Sequence, residues 1–238
     1  MDPTEIRQRG EAVLSAHRFW PRDAPGTRRN IVDAALATFA SRGFHGSTLK
    51  DISNGSGLST AALYVHFASK EDLLFEISRH GHAVALAILE GAVAEATSAA
   101  AELDLMVYCF TRWHAEQKTL AYVVQREWMG LNTDHHEAVR ALRSRIQACV
   151  RSVLTRGAST GELDVPDVRS ASAAVLSLCI DIARWYEPDG PYTPDAIGQI
   201  YMDFARRLFG VDRAGPVPSG SEHFGVDQPS LPAPTVNS

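Results

Sequence analysis

The side chains best suited to chemistry cluster in TLKDISNGSGLSTAALYVHFASK, Thr48 to Lys70. Tyr64, His66 and Lys70 there carry donors that reach phosphate oxygens. No Ser/Cys–His–Asp order accompanies them, and His66 has no partner at metal-ligand spacing. What remains is non-covalent recognition of an anion, and the local pattern says which one. Thr48 is a good N-cap, and Leu49, Ile52 and Ser53 share one face at i, i+3, i+4 spacing. Gly57 permits a sharp reversal that a Cβ would resist. Ser59 or Thr60 caps a second start, where Ala61, Ala62 and Leu63 begin a helix lean enough to lie against base edges. Two short helices about a glycine form a helix-turn-helix, which sets a small helix into the DNA major groove.

Those helices need a frame. Thr27 opens a helix whose apolar face is Ile31, Ala34, Ala35, Leu36, Phe39 and Ala40, and Gly43 ends it at a left-handed cap. Phe67 is a core aromatic. Ser69, followed by Glu71 and Asp72, caps a long helix that carries Leu73, Leu74, Ile77, Val84, Ile88 and Leu89 to Ala94, with an Ala-rich continuation to about Glu102. Further helices are expected from Leu105 to Glu116, Lys118 to Gly130, Thr133 to Arg156, Pro166-Asp167 to Tyr186, and Thr193 to Gly210.

The sequence thus predicts an all-α protein in four parts. Residues 1–26 are a flexible N-terminal extension and 27–74 a three-helix, helix-turn-helix DNA-binding domain. Residues 75–210 form a helical ligand-binding and dimerisation domain, and 211–238 a disordered tail. Arg7, Arg9, Arg18 and Arg22 in the extension resemble a basic arm that touches a neighbouring groove. The last two helices are apolar along one face and are the expected homodimer surface, closing a four-helix bundle from two copies.

A net charge of −5 over 238 residues excludes a protein that coats nucleic acid, but not a specific binder with local basic groups. Cys109, Cys149 and Cys179 lie in apolar helical patterns and read as reduced, buried thiols of a cytoplasmic protein. No apolar run approaches a membrane span.

Residues 27–74 closely resemble the DNA-binding domain of the TetR family of bacterial repressors. The likeness rests on I-x-x-A-A-L-x-x-F (Ile31 to Phe39), R-G-F-H-G-S-T (Arg42 to Thr48) and A-L-Y-x-H-F-x-S-K-E-D-L (Ala62 to Leu73) around the helix-turn-helix. The resemblance implies an all-helical homodimer that binds operator DNA and releases it when a small effector enters a variable C-terminal domain. On that mapping Thr48 holds a phosphate through its hydroxyl and helix N-terminus, and Ser59, Thr60 and Ala62 face base edges. Tyr64 and His66 grip phosphates, and Lys70 adds charge. Short side chains at these positions leave base reading to thymine methyls and DNA shape.

In the second domain Phe110, Trp113, Tyr122, Trp128 and Met129 are candidates to line an apolar cavity. Arg126, Arg184 and the Arg140/Arg143/Arg145 group are candidates to meet an anion. The stretch Ser177 to Leu208 resembles the end of family members that sense acyl-coenzyme A thioesters, which implies an acyl-CoA-type effector with Arg184 and Trp185 at its nucleotide. Two other readings stay open. One is a constitutive DNA-binding regulator without an effector. The other is an enzyme on a reused helical scaffold, for which only the isolated acids Asp181 and Asp203 speak. No cofactor is expected.

Overall fold

The computed structural model describes residues 1–20 and 26–211. Every regular element among them is helical: α1 (Pro3–Ala16), α2 (Gly26–Arg42), α3 (Leu49–Ser56), α4 (Thr60–Tyr64), α5 (Lys70–Ala94), α6 (Ala99–Glu116), α7 (Lys118–Glu127), α8 (Thr133–Thr160), α9 (Val168–Trp185) and α10 (Pro194–Leu208). A single 3₁₀ turn, Trp128–Gly130, joins α7 to the segment leading into α8.

Helices α2 to α4 form a small N-terminal head. Ile31, Ala35 and Phe39 of α2 are buried with Ile52 of α3, Leu63 of α4 and Phe67. Phe67 is a core aromatic as expected, with the Arg28 guanidinium 4.8 Å from its ring centre. Gly57 ends α3 at φ 70°, the left-handed region where a Cβ is resisted. Ser69 caps α5 by accepting from Asp72 N at 3.0 Å, so the head runs straight into a 25-residue helix.

The rest of the chain is built around α6. Leu103, Leu105, Met106, Val107, Tyr108, Cys109 and Phe110 are all buried, so apolar residues cover more than one face. A helix of that kind belongs at the centre of a bundle, and α1, α5, α8, α9 and α10 surround it. Its one buried acid, Asp104, accepts from Arg206 of α10 at 2.8 and 2.6 Å. The Ala-rich run expected to prolong α5 instead opens α6, because Ser98 accepts from Ala101 N and supplies a new N-cap.

The N-terminal residues correct the expectation of a loose extension. Asp2 caps α1, and Ile6, Val13 and Leu14 are buried against α5 and α6. Gly10 allows the approach: a Cβ there would lie 2.4 Å from Tyr108 Cε1. Phe19, beyond the helix, is buried with its carbonyl 2.6 Å from His80 Nε2. Two residues of the expected basic arm are engaged within the chain, Arg7 with Asp195 at 3.1 Å and Arg9 with Glu5 at 2.7 Å, while Arg18 is exposed. Arg22 and, apart from Val211, the tail expected over 211–238 lie outside the described residues.

Candidate nucleic-acid interface and ligand cavity

The head presents α4 outward. Ser59 accepts from Ala62 N and fixes the start of α4, and Thr60 Oγ1 meets Ser53 Oγ of α3 at 3.1 Å. That bond sets the angle between the two short helices. Leu63 faces inward and is buried, which turns its neighbours Tyr64, Val65 and His66 to the surface. Tyr64 is 55% exposed and Val65 82%. The exposed phenol and imidazole offer hydrogen-bond donors of the kind that suit phosphate oxygens, and the exposed valine offers apolar surface between them. Val65 was not among the sequence candidates, although its place between Tyr64 and His66 signals it. Ala62 is half-buried on the same helix.

Two expected phosphate ligands are otherwise engaged. Thr48 Oγ1 donates to Asp51 Oδ2 at 2.6 Å and accepts from Asp51 N at 3.2 Å, a complete capping box. Hydrogen bonds from Thr48, then Arg42, hold the Asp51 carboxyl below the usual carboxylate range. The start of α3 therefore already carries its anion. Lys70 Nζ donates to Phe44 O at 2.6 Å and Ser47 O at 2.7 Å, and stands 4.2 Å from the Phe44 ring centre. Burial pushes its pKa down. It staples the loop before α3 onto α5 instead of reaching outward.

A cavity of about 450 Å³ lies among α5 to α9. Ala85, Phe110, Trp113, Val124, Leu176 and Ile180 give it apolar walls, and Arg140, Arg143, Ser144 and Gln147 form a polar stripe along α8. Of the sequence candidates it brings together Phe110, Trp113, Arg140 and Arg143. It does not include Tyr122, Trp128, Met129, Arg184 or Trp185. Tyr122 lies under Arg126 and Met129 points to solvent. Arg184 is tied to Asp181 at 2.8 Å on the surface, and Trp185 stacks on Tyr201. Arg145, one step off the α8 stripe, pairs with Glu90 at 3.1 Å. The spacing 140, 143/144, 147 is a helical face legible in the sequence, whereas His82 and His114, also in the wall, had no such signal.

Both histidines are neutral. Burial, the dominant cause, pushes each from the ordinary 6.5 down to about 4. Each Nδ1–H donates to the carbonyl four residues back, Ser78 O and Phe110 O, at 2.7 Å. Each Nε2 is left as an acceptor. The cavity thus combines apolar walls and two neutral imidazoles with the Arg143 guanidinium on α8, while Arg140 pairs with Glu137 at 2.7 Å.

Elsewhere Glu71, Asp72 and His135 have ligand atoms within 4.8 Å of one another. Glu71 already accepts from Asn132 N at 2.9 Å and faces His135 Nδ1 at 2.9 Å. This group joins the start of α5 to the start of α8. The three cysteines are unpaired, and burial pushes the Cys179 thiol up to about 12 and Cys149 to about 11. No helix among the described residues is long and apolar enough to cross a membrane.

Comparison with known proteins agrees with this anatomy. Residues 31–77 match the profile of bacterial regulatory proteins of the tetR family, and residues 96–209 match the tetracyclin repressor-like C-terminal domain. The chain is 29% identical over 195 residues to the HTH-type transcriptional repressor KstR2 of Mycobacterium tuberculosis, spanning 79% of this chain and 94% of that one. The crystal structure of the TetR family transcriptional regulator PfmR from Thermus thermophilus superposes with a TM-score of 0.69 at 30% identity, covering 74% of this chain and 97% of that one. FadR of Bacillus subtilis in complex with stearoyl-CoA superposes with a TM-score of 0.60 at 23% identity, covering 74% and 96%.

Proposed function

The chain belongs to the TetR family of bacterial regulatory proteins, and from that premise we propose that it is a homodimeric repressor whose operator is released by an acyl-CoA-type effector. The observation that carries the effector reading is the cavity, with apolar walls on α5, α6, α7 and α9 and a polar stripe on α8 that includes the Arg143 guanidinium. An acyl chain fits the first and the charged remainder of a thioester the second. The stearoyl-CoA complex of FadR supports the same class of ligand. In this reading Tyr64 and His66 hold phosphates while Ser59, Thr60, Ala62 and Val65 face the groove.

The dimer surface is α9 with α10. Leu178, Trp185, Phe204 and Leu208 are large apolar side chains exposed on these two helices. A second copy laid across them buries that patch and closes a four-helix bundle. Head position and cavity shape are then linked through α5, which begins beside α4 and passes the cavity at Gly81, His82 and Ala85.

The test is a titration of the purified protein on a duplex from its own promoter region, with acyl-CoA thioesters from isovaleryl to stearoyl added in turn. Retardation by a dimer and release by one chain-length class are the expected results. Failure to bind that duplex refutes self-directed repression. Binding that no thioester reverses, with no thermal shift on adding any of them, refutes the effector class.

A further inference from the structure

Arg143 is a half-buried cation whose partners are all neutral. Its Nη1 donates to Gln125 Oε1 at 2.8 Å and lies 3.1 Å from the acceptor Nε2 of His82. Its guanidinium stands 4.7 Å from the ring centre of Trp128. No carboxylate pairs with it among the described residues, and burial pushes its pKa down. A guanidinium that has lost water without gaining a counter-ion is a site for an oxyanion, since charge-assisted bonds are about twice as strong as those to neutral acceptors.

What Arg143 leans on matters as much. Trp128, stacked on His136 at 4.4 Å, opens the 3₁₀ turn that closes on Gly130. Gly130 is pressed on the reading head: a Cβ there would lie 2.7 Å from Phe44 Cδ1. Next to it Phe44 N donates to Glu127 Oε2 at 2.9 Å. Phe44 in turn belongs to the loop that Lys70 staples just before the Thr48 cap of α3. A continuous set of contacts therefore runs from the cavity wall to the start of the helix-turn-helix without passing along α5.

We infer that Arg143 is the anion sensor of the cavity and that the Trp128–Gly130 turn carries its state to the head. An effector whose apolar body fills the cavity and whose carboxylate or phosphate oxygen takes the Arg143 N–H groups draws the guanidinium off Trp128. The turn, released on one side, shifts against Phe44. This rests on the effector reading above and adds to it the ligand's oxyanion and a second route beside the long helix.

The experiment uses the full-length protein, its promoter-region duplex, and three probes: palmitoyl-CoA, palmitate and coenzyme A. Calorimetry reads probe affinity and anisotropy reads duplex affinity, each with and without probe. Arg143→Gln is expected to weaken the binding of whichever acyl probe binds wild type by at least about tenfold, with Arg143→Lys intermediate. Trp128→Leu is expected to bind that probe within about threefold of wild type yet to lose most of the duplex release. Palmitate acting as strongly as palmitoyl-CoA assigns the oxyanion to a carboxylate; palmitoyl-CoA acting alone assigns it to the thioester's phosphates.

Unchanged probe affinity in Arg143→Gln, or full release in Trp128→Leu, overturns the inference while leaving the effector reading intact. Wild type that binds neither these probes nor any thioester of the isovaleryl-to-stearoyl series overturns the effector reading itself, and this inference with it. Should Trp128→Leu fail to fold, Gly130→Ala decides. Its Cβ displaces the turn from Phe44, and duplex affinity without probe is expected to fall about tenfold. An unchanged value overturns the route.

Discussion

Replacing Lys70 by methionine separates two uses of one charge. The ammonium donates to Phe44 O and Ser47 O and faces the Phe44 ring. After Lys70→Met, Phe44 O keeps the Ser47 Oγ–H at 2.8 Å, whereas Ser47 O loses its charged donor. Leaving that carbonyl unpaired costs about 1–3 kcal/mol, and losing the cation over the ring about 0.5–1. Against this stands the relief of a partly desolvated ammonium, so the net destabilisation is about 2 kcal/mol. A chain of this size then melts about 4–8 °C lower. Affinity for the promoter-region duplex falls because the loop before α3 loosens. Its dependence on salt, measured by anisotropy from about 50 to about 200 mM, stays as in wild type, since no phosphate contact is lost. The opposite pattern refutes the staple: a log–log salt slope smaller by about 0.9 with an unchanged melting temperature means that Lys70 reaches DNA.

Tyr64→Phe removes an exposed phenol and is expected to weaken duplex binding about fivefold, near one hydrogen bond, while stability stays within about 0.5 kcal/mol. Equal affinity in a competition gel removes Tyr64 from the interface. Gly10→Ala sets a methyl 2.4 Å from Tyr108 Cε1 and is expected to cost about 1–3 kcal/mol of overpacking. An unchanged urea midpoint shows that α1 does not dock. For pH, His82 and His114 have folded values near 4 against an ordinary 6.5. The unfolded chain therefore binds the extra protons between those limits. Their stabilisation is complete above 6.5 and is lost as pH falls towards 4, about 3 kcal/mol for each histidine. His82→Gln flattens the stability curve over that window by one proton; parallel curves for variant and wild type refute the assignment.

The reading head was legible because its determinants are local. Thr48, Gly57, Ser59 and Ser69 each act within three or four residues of themselves, and the structure finds a cap or a left-handed turn at every one. The two residues whose roles changed, Thr48 and Lys70, have partners that the motif does not specify. Asp51 carries no role in the motif, and Phe44 lies 26 positions from Lys70. The cavity was harder for the same reason in stronger form. Its wall draws on five helices, so an aromatic is a wall residue or plain core depending on contacts tens of residues away. Trp113 and Trp128 look alike in sequence, yet only Trp113 reaches the cavity. Alpha-helix α1 was misread because its apolar residues Ile6, Val13 and Leu14 are sparse, and their docking depends on Gly10 meeting Tyr108.

The seam between head and effector half sets breakable polar contacts beside the apolar Phe44–Gly130 contact, and that suits a switch. Glu127 holds Phe44 N, Glu71 holds Asn132 and His135, and Glu76 pairs with Arg28 where α2 crosses α5. Each contact is partly exposed and worth about 0.5–1 kcal/mol. Together these polar contacts contribute about 2–3 kcal/mol, the size of coupling free energy typical between two ligand sites. A buried ion pair such as Asp104 with Arg206 inside the bundle costs about 3–5 kcal/mol to break, more than these contacts together. Rigid packing around α6 and breakable carboxylate contacts at the head therefore divide the work: the first fixes the cavity, the second lets its occupancy be read.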